Sequence, residues 1–161
     1  LSEIDLVSVL IGPSDAAMDV NDALVMRRTI LDTIGRATSN LLVVGYMIDD
    51  PQIVEKICSK AGSILTEVHV DRKQTMEYRS AMDAASKLEM AGAEVKMHDE
   101  GWRESLHAKV IVADGKEAIV GSANLTSRGA DRNYEIGVRV RGPSARKLRE
   151  ALRKTLGVSD G

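Results

Sequence analysis

Within the stretch LHAKVIVADGKEAIVGSANLT, residues 106–126, four polar side chains interrupt aliphatic sequence: His107, Lys109, Ser122 and Asn124. An imidazole, an ammonium, a hydroxyl and a carboxamide together suit a phosphate. Lysine supplies positive charge, serine and asparagine supply neutral donors, and histidine can attack phosphorus or move a proton. Side chains alternate along a strand, which places Leu106, Ala108, Val110 and Val112 on one face and His107, Lys109 and Ile111 on the other. Asp114-Gly115 reads as a hairpin turn and residues 118–122 as the returning strand, with Gly121 permitting close backbone approach. One hairpin would then gather all four groups.

Taken singly, a histidine and a lysine on a half-buried strand are ordinarily its solvated face, and serine and asparagine near a strand end are ordinarily turn formers. The joint spacing carries the information. His107, Lys109 and Asp114, then Gly121, Ser122 and Asn124, form His-x-Lys-x4-Asp followed after six residues by Gly-Ser-x-Asn. This resembles the signature of the phospholipase D superfamily. NYEIGVRV, residues 133–140, resembles the strand that follows the signature there, which implies that Glu135 orients the catalytic histidine. LLVVGYMIDDPQIVEKICSKAG resembles the opening strand and helix of the superfamily's small single-motif nucleases, and the likeness extends over residues 26–156. LIGPS, MRRTILDTI, HAKVIVADG and VRVRGPSARKL are also similar to the phospholipase D-like component of bacterial DISARM antiphage systems.

The resemblance implies a phospholipase D-like fold and metal-independent phosphodiester cleavage, with no cofactor, through a phosphohistidine on His107. One chain holds one copy of the motif, so a homodimer is expected to supply the second. Lys109 and Asn124 would hold the non-bridging oxygens, Ser122 would assist, and Asp114, in the turn away from the pocket, is expected to be mainly structural. DNA is the expected substrate. The rival readings are phospholipid hydrolysis or phosphatidyl transfer, and a module that binds a nucleic-acid backbone with little turnover alongside defence-complex subunits.

The rest of the sequence bounds these readings. Its 161 residues fit a single domain, residues 1–161, read either as a processed protein or as a segment of a longer one. The net charge of −2 argues against a surface that binds polyanions everywhere. Aromatic residues make up 2% with no phenylalanine, too few for a base-stacking platform, so a bound polynucleotide would be held by its backbone. No run approaches a membrane span, and no membrane partner is expected. Cys58 falls at an apolar helical position and is read as core packing in a cytoplasmic protein. His69 and His98 each look solitary, and no metal pattern stands out.

The elements that must position the site read as a βα series. Strands are expected at LVSVLI, LLVVGYM, ILTEVHV and AEVKM. Helices are expected over residues 22–38, after the N-cap Asp50 and Pro51, within residues 73–91, and from Pro143 with Ser144 as N-cap. The expected class is α/β, with a mixed, mostly parallel sheet flanked by helices. Arg139 and Arg141 share a strand face with Glu135 and Gly137 and are expected to attract the polyanionic substrate.

Overall fold

A computed structural model describes residues 4–99, 105–127, 129 and 132–158. The chain runs β1 (Leu6–Gly12), α1 (Ser14–Met18), β2 (Leu24–Val25), α2 (Met26–Arg36), β3 (Asn40–Gly45), α3 (Pro51–Ala61) and β4 (Leu65–Asp71). It continues through α4 (Arg72–Glu77), α5 (Arg79–Met90), β5 (Glu94–His98), β6 (Val110–Ala113), β7 (Glu117–Gly121), β8 (Glu135–Arg141) and α6 (Pro143–Thr155). All the strands join one sheet in the order β2-β1-β8-β7-β6-β3-β4-β5. Among the described residues, no helix is long and apolar enough to cross a membrane.

The class is α/β, with a mixed sheet flanked by helices, as expected. The balance of strand directions differs from the mostly parallel expectation. Pairings β1–β2, β3–β4 and β4–β5 are parallel, whereas β1–β8, β8–β7, β7–β6 and β6–β3 are antiparallel. A parallel neighbour needs a crossover, which the helices between β3, β4 and β5 provide; the β6–β7 hairpin instead inserts beside β3, and β8 returns next to β7.

Three local expectations also shift. Leu24 and Val25 pair with Leu10 and Ile11, so the helix expected from residue 22 starts at Met26. Tyr78, at φ −120 and ψ 125, divides the helix expected within residues 73–91 into α4 and α5. Ser144 lies inside the first turn of α6 rather than capping it: its N–H donates to Asp5 Oδ1 at 2.9 Å and its hydroxyl donates to the same carboxylate. Asp50 does cap α3, accepting from the N–H groups of Gln52 and Ile53 at 3.0 and 3.1 Å, and Arg27 on α2 grips the same carboxylate.

Each sheet face has its own core. Met26, Ile30 and Ile34 of α2, Ile53 and Ile57 of α3, and Leu88 of α5 cover Leu41, Val43, Val68, Val70, Ile111 and Ile119. On the opposite face, α6 packs Ala145, Leu148 and Leu152 against Leu42, Val44, Val110, Val112 and Ala118. Leu106 and Ala108 join this second cluster and Ile111 the first. The alternation read from residues 106–112 therefore holds even though β6 itself begins only at Val110.

The second face is incompletely covered. Val9 pairs with Val138 and Ile11 with Ile136 on the α6 side, yet Val7, Val9 and Ile136 are 62%, 43% and 62% exposed, and neighbouring Tyr134 is 87% exposed.

Candidate active site

The hairpin carries the motif as its alternation requires. Gly121 and Gly137 face each other across β7 and β8. A Cβ on Gly121 would lie 2.9 Å from the Ile136 carbonyl oxygen and 3.0 Å from Gly137 Cα, so the two backbones could not approach this closely with larger residues. The tight pairing brings Ser122, just past β7, against the start of β8. Ser122 N–H donates to the Ile136 carbonyl at 3.0 Å, its Oγ accepts from Ile136 N–H at 3.2 Å, and its hydroxyl donates to Glu135 Oε2.

His107 lies on residues 105–109, ahead of β6, with its side chain exposed. Leu106 N–H donates to Asp71 Oδ1 at 2.9 Å, and the Lys109 carbonyl accepts from Gly121 N–H at 3.4 Å. Lys109 Nζ donates to the His107 carbonyl at 2.8 Å and stands 3.0 Å from His107 Nδ1. An ammonium only donates, so Nδ1 accepts and the neutral ring carries its proton on Nε2. Burial lowers the Lys109 pKa, with Glu135 opposing that shift through its charge. Tyr46, directly after β3, places its ring 4.7 Å from the imidazole at 51°, and Lys109 Nζ sits 6.0 Å from the same ring centre.

Asn124 follows on a constrained turn. Leu125 is buried, and its carbonyl accepts from the N–H groups of Asp49 and Asp50 at 3.1 and 3.2 Å. A Cβ at Gly129 would stand 2.3 Å from the Asn124 carbonyl oxygen, so the backbone there admits no side chain. Asn124 Oδ1 is buried without a hydrogen-bond partner among the described residues.

The structure thus gathers His107, Lys109, Ser122 and Glu135 at one end of the sheet, with Asn124 two residues past Ser122. The expected bond from His107 to Glu135 is not made in this arrangement: Lys109 occupies Nδ1, and Ser122 engages Glu135. Asp114 lies at the opposite end of β6. In the turn, at φ 59, its carboxylate accepts from the N–H groups of Thr38, Ser39 and Asn40 at 2.7 to 3.1 Å. Burial would raise its pKa, but these bonds outweigh it and hold the carboxyl at about 2.

Arg139 and Arg141 lie on the half of β8 away from Glu135, around Glu117, with Nε atoms 4.0 and 3.6 Å from its carboxylate. Arg36 and Thr33 of α2 donate to that carboxylate at 2.6 Å each.

His69 and His98 are not solitary. Their rings meet across β4 and β5, with Nδ1 of His69 2.8 Å from Nε2 of His98, and Glu67 stands 3.7 Å from His69 Nε2. Burial, then the neighbouring His98, lowers the His69 pKa to about 4. Among the described residues, no three His, Cys, Asp or Glu side chains gather as metal ligands would.

Sequence reading missed Tyr46 and Asp71. A usable signal was available: both lie at the carboxyl ends of adjacent parallel strands, where open α/β sheets place their sites.

The hairpin is thus presented on an eight-stranded mixed sheet. The family model described as cardiolipin synthase, PLD-like domain, matches residues 30–156, and the chain belongs to the phospholipase D superfamily, a family of phosphodiesterase-type enzymes. DISARM protein DrmC of Bacillus paralicheniformis is 31% identical over 134 residues, covering 79% of this chain and 55% of that protein. A cardiolipin synthase of Listeria welshimeri is 33% identical over 95 residues, covering 56% of this chain and 19% of that protein. The chain therefore spans about half of the first relative and about a fifth of the second. In fold it is similar to the phospholipase D family member Nuc from Salmonella typhimurium, with TM-score 0.80 at 19% identity over 94% of this chain and 93% of that one.

Proposed function

We propose that this chain is a metal-independent nuclease acting on DNA, working as a single phospholipase D-like domain in a cytoplasmic homodimer. The observation that carries the reading is the assembly of His107, Lys109, Ser122 and Glu135 at one end of the sheet, with one copy of the motif in these 161 residues. Two copies facing across a two-fold axis would supply two imidazoles to one phosphate. The exposed apolar strip of Val7, Val9, Tyr134 and Ile136, on the α6 face of β1 and β8 and so across the sheet from Glu135, offers an apolar surface for that pairing.

In the reaction, Nε2 of one His107 attacks phosphorus, forming a P–N bond while the P–O bond to the leaving group breaks. The partner's His107 gives the leaving oxygen its proton, then takes one from water, which attacks phosphorus and releases the first imidazole. Lys109 and Asn124 stabilise the non-bridging oxygens as charge accumulates, with Ser122 assisting. Attack requires an Nε2 lone pair, so Lys109 leaves Nδ1 for a phosphate oxygen, and Nδ1 takes the proton and donates it to Glu135. Asp114 fixes the hairpin from outside the pocket. Three guanidinium groups around the single carboxylate of Glu117 leave positive charge near Arg139 and Arg141 for backbone phosphates.

A second reading is phosphatidyl transfer or phospholipid hydrolysis, favoured by the cardiolipin synthase likeness. The DrmC likeness supports work within a defence complex, including a version in which the module binds a backbone with little turnover. Assays on DNA, RNA and phosphatidylglycerol vesicles in excess chelator separate these readings. We expect DNA cleavage, abolished by His107→Ala, and an acid-labile, alkali-stable adduct on His107 detected by mass spectrometry. Loss of activity in chelator with recovery on adding magnesium would overturn the mechanism; turnover of the lipid alone would select the second reading.

A further inference from the structure

The segment that presents His107 is packed through Leu106 and Ala108, but its exposed imidazole has few contacts. Residues 105–109 form no strand; their backbone is anchored by Leu106 N–H on Asp71, the His107 carbonyl on Lys109 Nζ and the Lys109 carbonyl on Gly121. Between them the exposed imidazole has two restraints, Lys109 Nζ at Nδ1 and the Tyr46 ring at 4.7 Å and 51°. The proposed reaction removes the first, because Lys109 turns to the phosphate. The aromatic contact then remains to hold the imidazole plane while Nε2 approaches phosphorus.

We infer that Tyr46 is a positioning residue for His107, a role that rests on the phosphodiesterase reading above. The tilted arrangement is one that aromatic rings favour. A ring face also tolerates both the neutral and the protonated imidazole, which suits a histidine that alternates between nucleophile and acid. Tyr46 is itself held in place. It is half-buried, and its carbonyl accepts from Asp71 N–H at 3.3 Å. Since Asp71 also takes Leu106 N–H, one junction between β3 and β4 fixes both the ring against His107 and the backbone that leads into it.

The test uses the chromogenic diester bis-p-nitrophenyl phosphate. Tyr46→Leu should lower kcat about 10- to 100-fold with KM within about 2-fold, since a misaligned nucleophile loses rate rather than binding. Tyr46→Phe should stay within about 3-fold of wild type, because the ring and not the hydroxyl does the positioning. Nuclear Overhauser contacts between the Tyr46 and His107 rings should be present in the wild-type protein and in Tyr46→Phe, and these decide the matter even if Tyr46→Leu fails to fold. Full activity in folded Tyr46→Leu, or absence of the ring contacts, would overturn the inference. Equal losses in the Leu and Phe variants would transfer the role to the hydroxyl and also overturn it. A wild-type protein inactive on the diester would instead sink the phosphodiesterase reading, and activity surviving His107→Ala would sink His107 as its nucleophile, whereas an inactive His107→Ala beside a fully active Tyr46→Leu would sink this inference alone.

Discussion

At the scale of single residues, the resting site is set against reaction. With Lys109 Nζ 3.0 Å from Nδ1 of His107, a neutral ring holds its proton on Nε2, the atom that has to attack. A tetrahedral anion should draw Lys109 away and move the proton to Nδ1. Titrating the protein with phosphate or tungstate and following the imidazole nitrogen shifts of His107 should show that exchange of tautomers, and a tautomer unchanged at saturation would contradict it. Lys109→Met should lower kcat about 10²- to 10³-fold with little effect on KM, as loss of a donor to the developing charge does. The motif residues were readable in sequence because their types and spacing are the chemistry. Tyr46 and Asp71 were legible only as residues at strand ends, because the order of strands in the sheet is what brings them to His107.

At the scale of elements, Asp114 shows how a motif residue can matter without touching the site. Its carboxylate gathers three consecutive N–H groups at the start of β3 and so fastens the β6–β7 turn to the chain leaving α2. Asp114→Asn should cost about 2 kcal/mol, the scale for hydrogen bonds to a charged acceptor, while leaving kcat near wild type. With a folded pKa of about 2, below the usual carboxylate range near about 4, its contribution is full above the unfolded value. It is lost as pH falls through the folded one. Melting curves of wild type and variant should therefore converge between pH 4 and 2, and a constant gap would show that the charge is not responsible. The hairpin was legible from alternation and its Asp-Gly turn. Strand β2 was not, since Leu24 and Val25 are too few to show a period and run directly into helical sequence.

At the scale of the whole molecule, the apolar strip and the arginine cluster make separate predictions. Ile136→Glu places a charge in the proposed dimer surface and should give monomers by light scattering with activity reduced toward background; a monomer with full activity would contradict a shared site. Arg36→Ala with Arg141→Ala should flatten the dependence of log DNA affinity on log salt by about one to two units of slope, and an unchanged slope would locate the phosphate contacts elsewhere. The α/β class was visible in the succession of strands and helices. The prevalence of antiparallel pairing was not, because it depends on which strands become neighbours, and sequence order does not state that.

The pairing of β1 with β8 has a consequence for how the molecule reaches this state. Leu6 meets Arg141 and Gly12 meets Glu135, so nearly the whole described chain separates the two strands. The β6–β7 hairpin can form from neighbouring sequence within microseconds. The strand carrying Glu135 is sandwiched only after a much larger loop closes, and such non-local closure slows folding. In pulse-labelling exchange during refolding, protection should therefore appear in β6 and β7 before it appears in β1, so that the lone motif is assembled in outline well before the acid that faces it is locked in place.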